Sequence, residues 1–142
     1  LKQPIAAVGS VYSPKFIELG GAAVNGIHTN TAFFPEEPRA EVRDFVKSFR
    51  ARYDKEPDAF NAYAYDAVVY AAAALRQAGP NADRKAVRDA FYKIKDVPSV
   101  IFGKTSFDPQ TRRVIGVKSV NLVVKDGKWA QLDEKAALAS TK

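Results

Sequence analysis

The sequence predicts an α/β fold with a late antiparallel hairpin, and three observations carry that expectation. Short apolar runs at 4–8 and 26–34 alternate with segments of helical period, as when helices are layered on a sheet. Residues 57–79 form the longest segment with one clear period. They stop at Gly79-Pro80, where glycine suits a left-handed cap and proline cannot continue the turn. Near the end, Asp126-Gly127 ahead of Trp129 is a strong hairpin signal.

Taken in order, residues 4–8 (PIAAV) read as a short buried parallel strand that ends at Gly9-Ser10. Ser13-Pro14 starts a helix, hydroxyl at the cap and proline at the first helical position, and Gly20-Gly21 ends it. Such a turn from strand to helix is where open α/β sheets place ligand-contacting groups. Residues 26–34 are a second strand candidate, closed by Pro35 and Pro38. In the segment 38–53, Val42, Phe45, Val46, Phe49 and Tyr53 make one apolar helix face, with charged residues opposite.

The helix expected over 59–79 is apolar nearly all round and is expected to be the buried, central one. Phe60, Ala64, Ala67, Val68, Ala71, Leu75 and Ala78 form its predicted inward face. Asp83 caps a further helix. A β-rich tail follows Pro98, with Gly103 breaking one apolar run, Asp108-Pro109 turning, and 114–124 strand-like.

Composition bounds the function. A chain of 142 residues with 46% hydrophobic content builds one or two compact units. No run approaches the length of a membrane-spanning helix. The first ten residues lack a signal-peptide pattern and an initiator Met, so the sequence reads as a mature protein or a piece of one. With no cysteine, disulfides and thiolate metal sites are excluded. The net charge of +6 is uneven: −1 through Ala71 and +7 beyond it. The bases are nevertheless interspersed with acids, which favours a basic soluble surface over a nucleic-acid face.

Catalytic chemistry finds little footing. His28 is the only histidine, without a metal partner or a triad. Asp66 reads as a partly buried helix aspartate bonded to a hydroxyl or to backbone. The glycines make no phosphate-binding pattern. No enzyme, metal or cofactor is expected. Phe60, Asn61 and Tyr63 are different, because they cluster at a helix start where unpaired N–H groups collect. They fit a pocket wall, with Ser10 and Tyr12 as polar companions, and they fit a core equally well. Tyr65 reads as core.

Five pieces together resemble one family. They are FVKSFRARY (45–53), EPDAFNAYAYDAV (56–68), DRKAVRDAF (83–91), GKTSFDP (103–109) and VVKDGKW (123–129). In that order they resemble the C-terminal portion of type I periplasmic solute-binding proteins of the branched-chain amino acid ABC transporter kind. The resemblance implies parts of two Rossmann-like lobes. Residues 1–33 belong to the C-terminal lobe, 34–110 to the N-terminal lobe, 111–132 return, and 133–142 form a tail.

It also implies a periplasmic location and a small organic solute, of the branched-chain amino acid, amide or aromatic acid class. The solute is held between lobes and delivered to a membrane permease. The expected ligand-binding residues are Gly9, Ser10, Val11 and Tyr12 from one lobe and Phe60, Asn61 and Tyr63 from the other. A missing N-terminal part of the same protein is the further partner implied, and the isolated piece is expected to self-associate. No nucleic-acid partner is expected. The family often carries an acid in the first loop to hold an ammonium group, and Val8-Gly9-Ser10 has none. The rival reading is a ligand-sensing domain of a receptor or transcriptional regulator with the same fold.

Overall fold

The computed structural model describes residues 3–132, so the expected tail at 133–142 lies outside the described residues. The chain divides into two compact units. The first takes in the described residues up to Ala32 and from Ser119 onward, and the second is Phe33–Lys118.

The first unit is a four-stranded mixed sheet of order β1-β2-β6-β7. Strand β1 (Ile5–Ala6) pairs parallel to β2 (Ile27–Thr31), which runs antiparallel to β6 (Val120–Lys125) and that to β7 (Lys128–Gln131). Asp126 and Gly127 both take positive φ between β6 and β7, as a tight hairpin turn of this kind requires. Leu122 and Val124 are buried, two residues apart on one sheet face, and burial of each contributes roughly 1.5–3 kcal/mol. The parallel strand expected at 4–8 is only two residues long. It lies exposed at the sheet edge rather than buried, because no strand pairs with its outer side among the described residues. Helix α1 (Pro14–Gly20) starts as expected, with Ser13 Oγ accepting the Phe16 N–H at 3.1 Å.

The second unit is mainly helical. It holds α2 (Ala40–Tyr53), α3 (Ala59–Ala78), α4 (Arg84–Phe91) and a small antiparallel sheet. That sheet is β3 (Val97–Ser99), β4 (Gly103–Phe107) and β5 (Val114–Ile115). Phe33 and Phe34, expected at the end of a strand, are instead buried in this unit after β2 has stopped. The run expected as one strand over 114–124 splits in two. Gly116 at φ +80° breaks it, and its halves join different sheets.

The inward face of α3 is the reverse of the one expected. Ala62, Asp66, Tyr70 and Ala74, four residues apart, are buried, whereas Val68 and Leu75 are 69% and 54% exposed. Tyr65 is also exposed rather than core, lying against Phe45 with ring centroids 5.1 Å apart. Aromatic and aliphatic bulk led the expectation toward Phe60, Val68 and Leu75. The structure instead turns inward the one carboxylate of the helix, because that carboxylate has partners.

Those partners make the centre of the unit. Asp66 is 2% exposed. It accepts the Val100 and Ile101 N–H groups at 2.9 and 3.1 Å, the Ser99 hydroxyl at 2.6 Å and the Tyr70 hydroxyl at 3.3 Å. From the other side, Arg39 Nη2 donates to the Val100 and Ile101 carbonyls, both at 3.0 Å. Glu37 pairs with Arg39, and this hydrogen bond raises the guanidinium pKa further. The turn between β3 and β4 is thus held by a carboxylate on its donors and a guanidinium on its acceptors, which a buried polar turn requires. Burial raises the Tyr70 phenol, keeping it a neutral donor, and its ring packs edge-on to Phe107 at 5.6 Å.

Candidate functional site

The structure gathers the seven expected residues into two clusters, one per unit. In the first unit, Gly9, Ser10 and Val11 form a single 3-10 turn after β1, followed by Tyr12. The turn closes two of the loop's own donors: Val11 N–H donates to the Val8 carbonyl and Tyr12 N–H to the Gly9 carbonyl, both at 3.1 Å. Ser10 is exposed. Gly9 has a steric reason to be glycine, since a Cβ there would meet the Asn30 carbonyl oxygen at 2.6 Å. The loop therefore packs against β2 by its backbone and presents side chains at Ser10 and beyond.

Trp129, just past the Asp126-Gly127 turn, anchors this loop. Its ring meets Tyr12 edge-on at 5.7 Å and stacks on Phe16 at 5.8 Å, and its Nε1 donates to the Ser13 carbonyl at 3.2 Å. The signal available in the sequence was a lone Trp after a tight turn, a residue that when partly buried seeks a partner for its N–H.

In the second unit, Phe60, Asn61 and Tyr63 occupy the start of α3. Asn61 closes a capping box: its N–H donates to Asp58 Oδ1, and its own Oδ1 accepts the Asp58 N–H, both at 2.9 Å. Asn61 thus fixes the helix start. Phe60 is 75% exposed and Tyr63 45%, with ring centroids 6.5 Å apart. Neither ring is packed in a core among the described residues. A separate cavity of about 450 Å³ in this unit is lined by Phe45, Phe49, Tyr53, Tyr65 and Val69, among others, and none of the seven expected residues borders it.

No cluster of three or more His, Asp or Glu side chains able to hold a metal occurs among the described residues. No helix among them is long and apolar enough to cross a membrane.

The two clusters sit on an architecture with known counterparts. The sequence matches the periplasmic binding protein family over residues 1–128, and the chain belongs to that family. Its fold is the type I periplasmic binding-protein fold. A solved structure assigned to branched-chain amino acid ABC transport in Rhodospirillum rubrum is 36% identical, with a TM-score of 0.76 over 93% of this chain and 38% of that one. A leucine-binding protein from Thermotoga maritima is 28% identical, with a TM-score of 0.80 over 93% of this chain and 37% of that one. An ABC transporter solute-binding protein from R. palustris, solved with benzoate, is 26% identical, with a TM-score of 0.67 over 82% and 31%. No curated protein matches the chain. The chain spans less than two fifths of the length of these three structures.

Proposed function

We propose that the full-length protein is the solute-binding component of an ABC importer in the periplasm, delivering a small organic solute to a membrane permease. The observation that carries this reading is the family match over residues 1–128, joined to relatives solved as leucine- and benzoate-binding proteins. Ser10 and Tyr12 of the first unit, and Phe60 and Tyr63 of the second, are proposed as solute contacts. Gly9 and Val11 shape the loop that carries the first pair, and Asn61 fixes the helix start that carries the second.

The physical support is the residue types that are exposed. Phe60 and Tyr63 offer apolar ring surface that gains free energy when a solute's hydrocarbon part covers it. The exposed Ser10 brings a hydroxyl that bonds an amide or a carboxylate. Residues 8–12 contain no carboxylate, so an ammonium group finds no charge partner in this loop. The proposed solute class is therefore an amide or aromatic acid ahead of a plain aliphatic amino acid.

Calorimetry on the full-length protein with leucine, isovaleramide and benzoate tests this, before and after Ser10→Glu. The reading expects the added acid to weaken benzoate about tenfold and to favour leucine. A wild type that prefers leucine, with a ranking untouched by Ser10→Glu, would show that the loop does not select the solute.

A further inference from the structure

We propose that Asn25-Gly26 and Asp126-Gly127 are paired modification sites, two succinimide-forming steps that hold one another inert while the first unit is folded. They are the chain's only Asn-Gly and only Asp-Gly steps. In such a step the backbone nitrogen of the glycine attacks the side-chain Cγ before it and closes a five-membered ring. Glycine has no Cβ to crowd that approach, so these two steps are the most prone to it in the sequence. All four residues are exposed, so water reaches them.

The folded geometry withholds both nucleophiles. Gly26 N–H donates to the Val124 carbonyl at 2.8 Å, and Gly127 N–H donates to Asn25 Oδ1 at 3.2 Å. Attack requires a base from solvent to take the amide proton, and a proton bonded to an acceptor is shielded from that base. The backbone at Asn25 adds to the restraint, because its ψ of 135° turns the Gly26 nitrogen away from the Asn25 Cγ. The bond to Asn25 Oδ1 couples the two sites, which lie 102 residues apart. The side chain attacked in one step is the acceptor that guards the nucleophile of the other. Val124, which guards Gly26, lies in β6, the strand leading into Asp126-Gly127. When the turn after the 3-10 segment Gly21–Val24 parts from the β6–β7 hairpin, both glycine N–H groups come free together.

The freed Gly26 nitrogen bonds to Asn25 Cγ, the Cγ–Nδ2 bond breaks, and ammonia leaves with the amide proton. Water then opens the ring at either carbonyl, leaving aspartate or isoaspartate at position 25. Isoaspartate carries an extra methylene in the main chain, which displaces the acceptor from the Gly127 N–H. The Gly127 nitrogen then closes the same ring on Asp126, releasing water, and water returns to open it as aspartate or isoaspartate. The order is Asn25 first and Asp126 second, and the product records how often the two turns have come apart.

The full-length protein is incubated in mildly alkaline buffer, folded and in denaturing urea. Residues 25 and 126 are then read by peptide mapping that resolves isoaspartate. Asn25 should lose ammonia more than about tenfold slower in the folded protein than in urea. Asn25→Ala cannot form the first ring and takes the acceptor from Gly127. In that folded variant Asp126 should isomerise more than about fivefold faster than in the folded wild type. Asn25→Asp keeps an oxygen acceptor in place and should leave Asp126 near the wild-type rate. In urea all three proteins should isomerise Asp126 alike. Equal loss of ammonia from Asn25 in the folded protein and in urea overturns the proposal. An Asp126 rate unchanged by Asn25→Ala overturns it too. So does a rate raised equally by Asn25→Asp, which would make the effect one of folding and not of the bond.

Discussion

In the first unit the strands satisfy one another's backbone. Strands β2, β6 and β7 exchange ladder hydrogen bonds, and Leu122 and Val124 pack beneath them. In the second unit Val100 and Ile101, in the turn between β3 and β4, have no ladder partner, and side chains from distant places close their bonds instead. Asp66 takes their N–H groups and Arg39 their carbonyls. The contrast separates two ways of burying backbone. A ladder is robust to any one side chain, whereas a clamp fails when either partner goes.

The largest expected effect breaks the clamp. Asp66→Ala strands two buried N–H groups and takes the acceptor from the Ser99 hydroxyl, while Tyr70 keeps Thr105, and it should cost about 4 kcal/mol in chemical denaturation. Hydrogen exchange should then rise at α3, β3 and β4 while the amides of β2, β6 and β7 keep their protection. A uniform loss across both units would show that the clamp is not local to the second.

The counterpart in the first unit is steric. Gly9→Ala sets a Cβ 2.6 Å from the Asn30 carbonyl oxygen, so the 3-10 turn must shift away from β2. A cost of about 2 kcal/mol is expected, with faster exchange at the Ala7 N–H that donates to the His28 carbonyl. An unchanged denaturation midpoint would mean that the loop moves freely, and that Gly9 is not held by packing.

The smallest effect depends on pH. Asp108 accepts the Gln110 and Thr111 N–H groups at 2.7 and 2.8 Å, and these bonds hold its carboxyl below its ordinary range. The folded state then binds fewer protons than the unfolded state in mild acid. This stabilisation is complete above the ordinary carboxylate pKa and is lost as pH falls through the lowered one. Asp108→Ala should flatten the acid limb of the melting temperature against pH, and an identical limb would remove the turn from the account.

The same contrast explains what was legible in the sequence. Ladder and cap features are written locally: Ser13-Pro14, Asp83 and Asp126-Gly127 each fix an element within a few residues, and each is found where expected. The clamp is not written locally. Asp66 was readable as a buried, bonded carboxylate, but its turn lies 33 to 35 positions away, and Arg39 reaches across 61 and 62. The inverted burial of α3 has the same root, since polar partners elsewhere in the chain chose its inward side. The two clusters of expected site residues were legible by place alone, on a turn and at a helix start, where Phe60, Asn61 and Tyr63 fitted a pocket wall and a core equally well. The use of Gly9 against β2 and of Asn61 in a capping box was not, because close approach and side-chain reach leave no periodic trace.

The central claim, that this polypeptide serves solute capture, is tested most directly by native mass spectrometry of the full-length protein as purified from its source. The account predicts a single bound organic mass, an amide, amino acid or aromatic acid, that leaves on denaturation and returns on titration of the authentic compound. A protein that carries no such mass, and gives no binding heat with leucine, isovaleramide or benzoate, would contradict it.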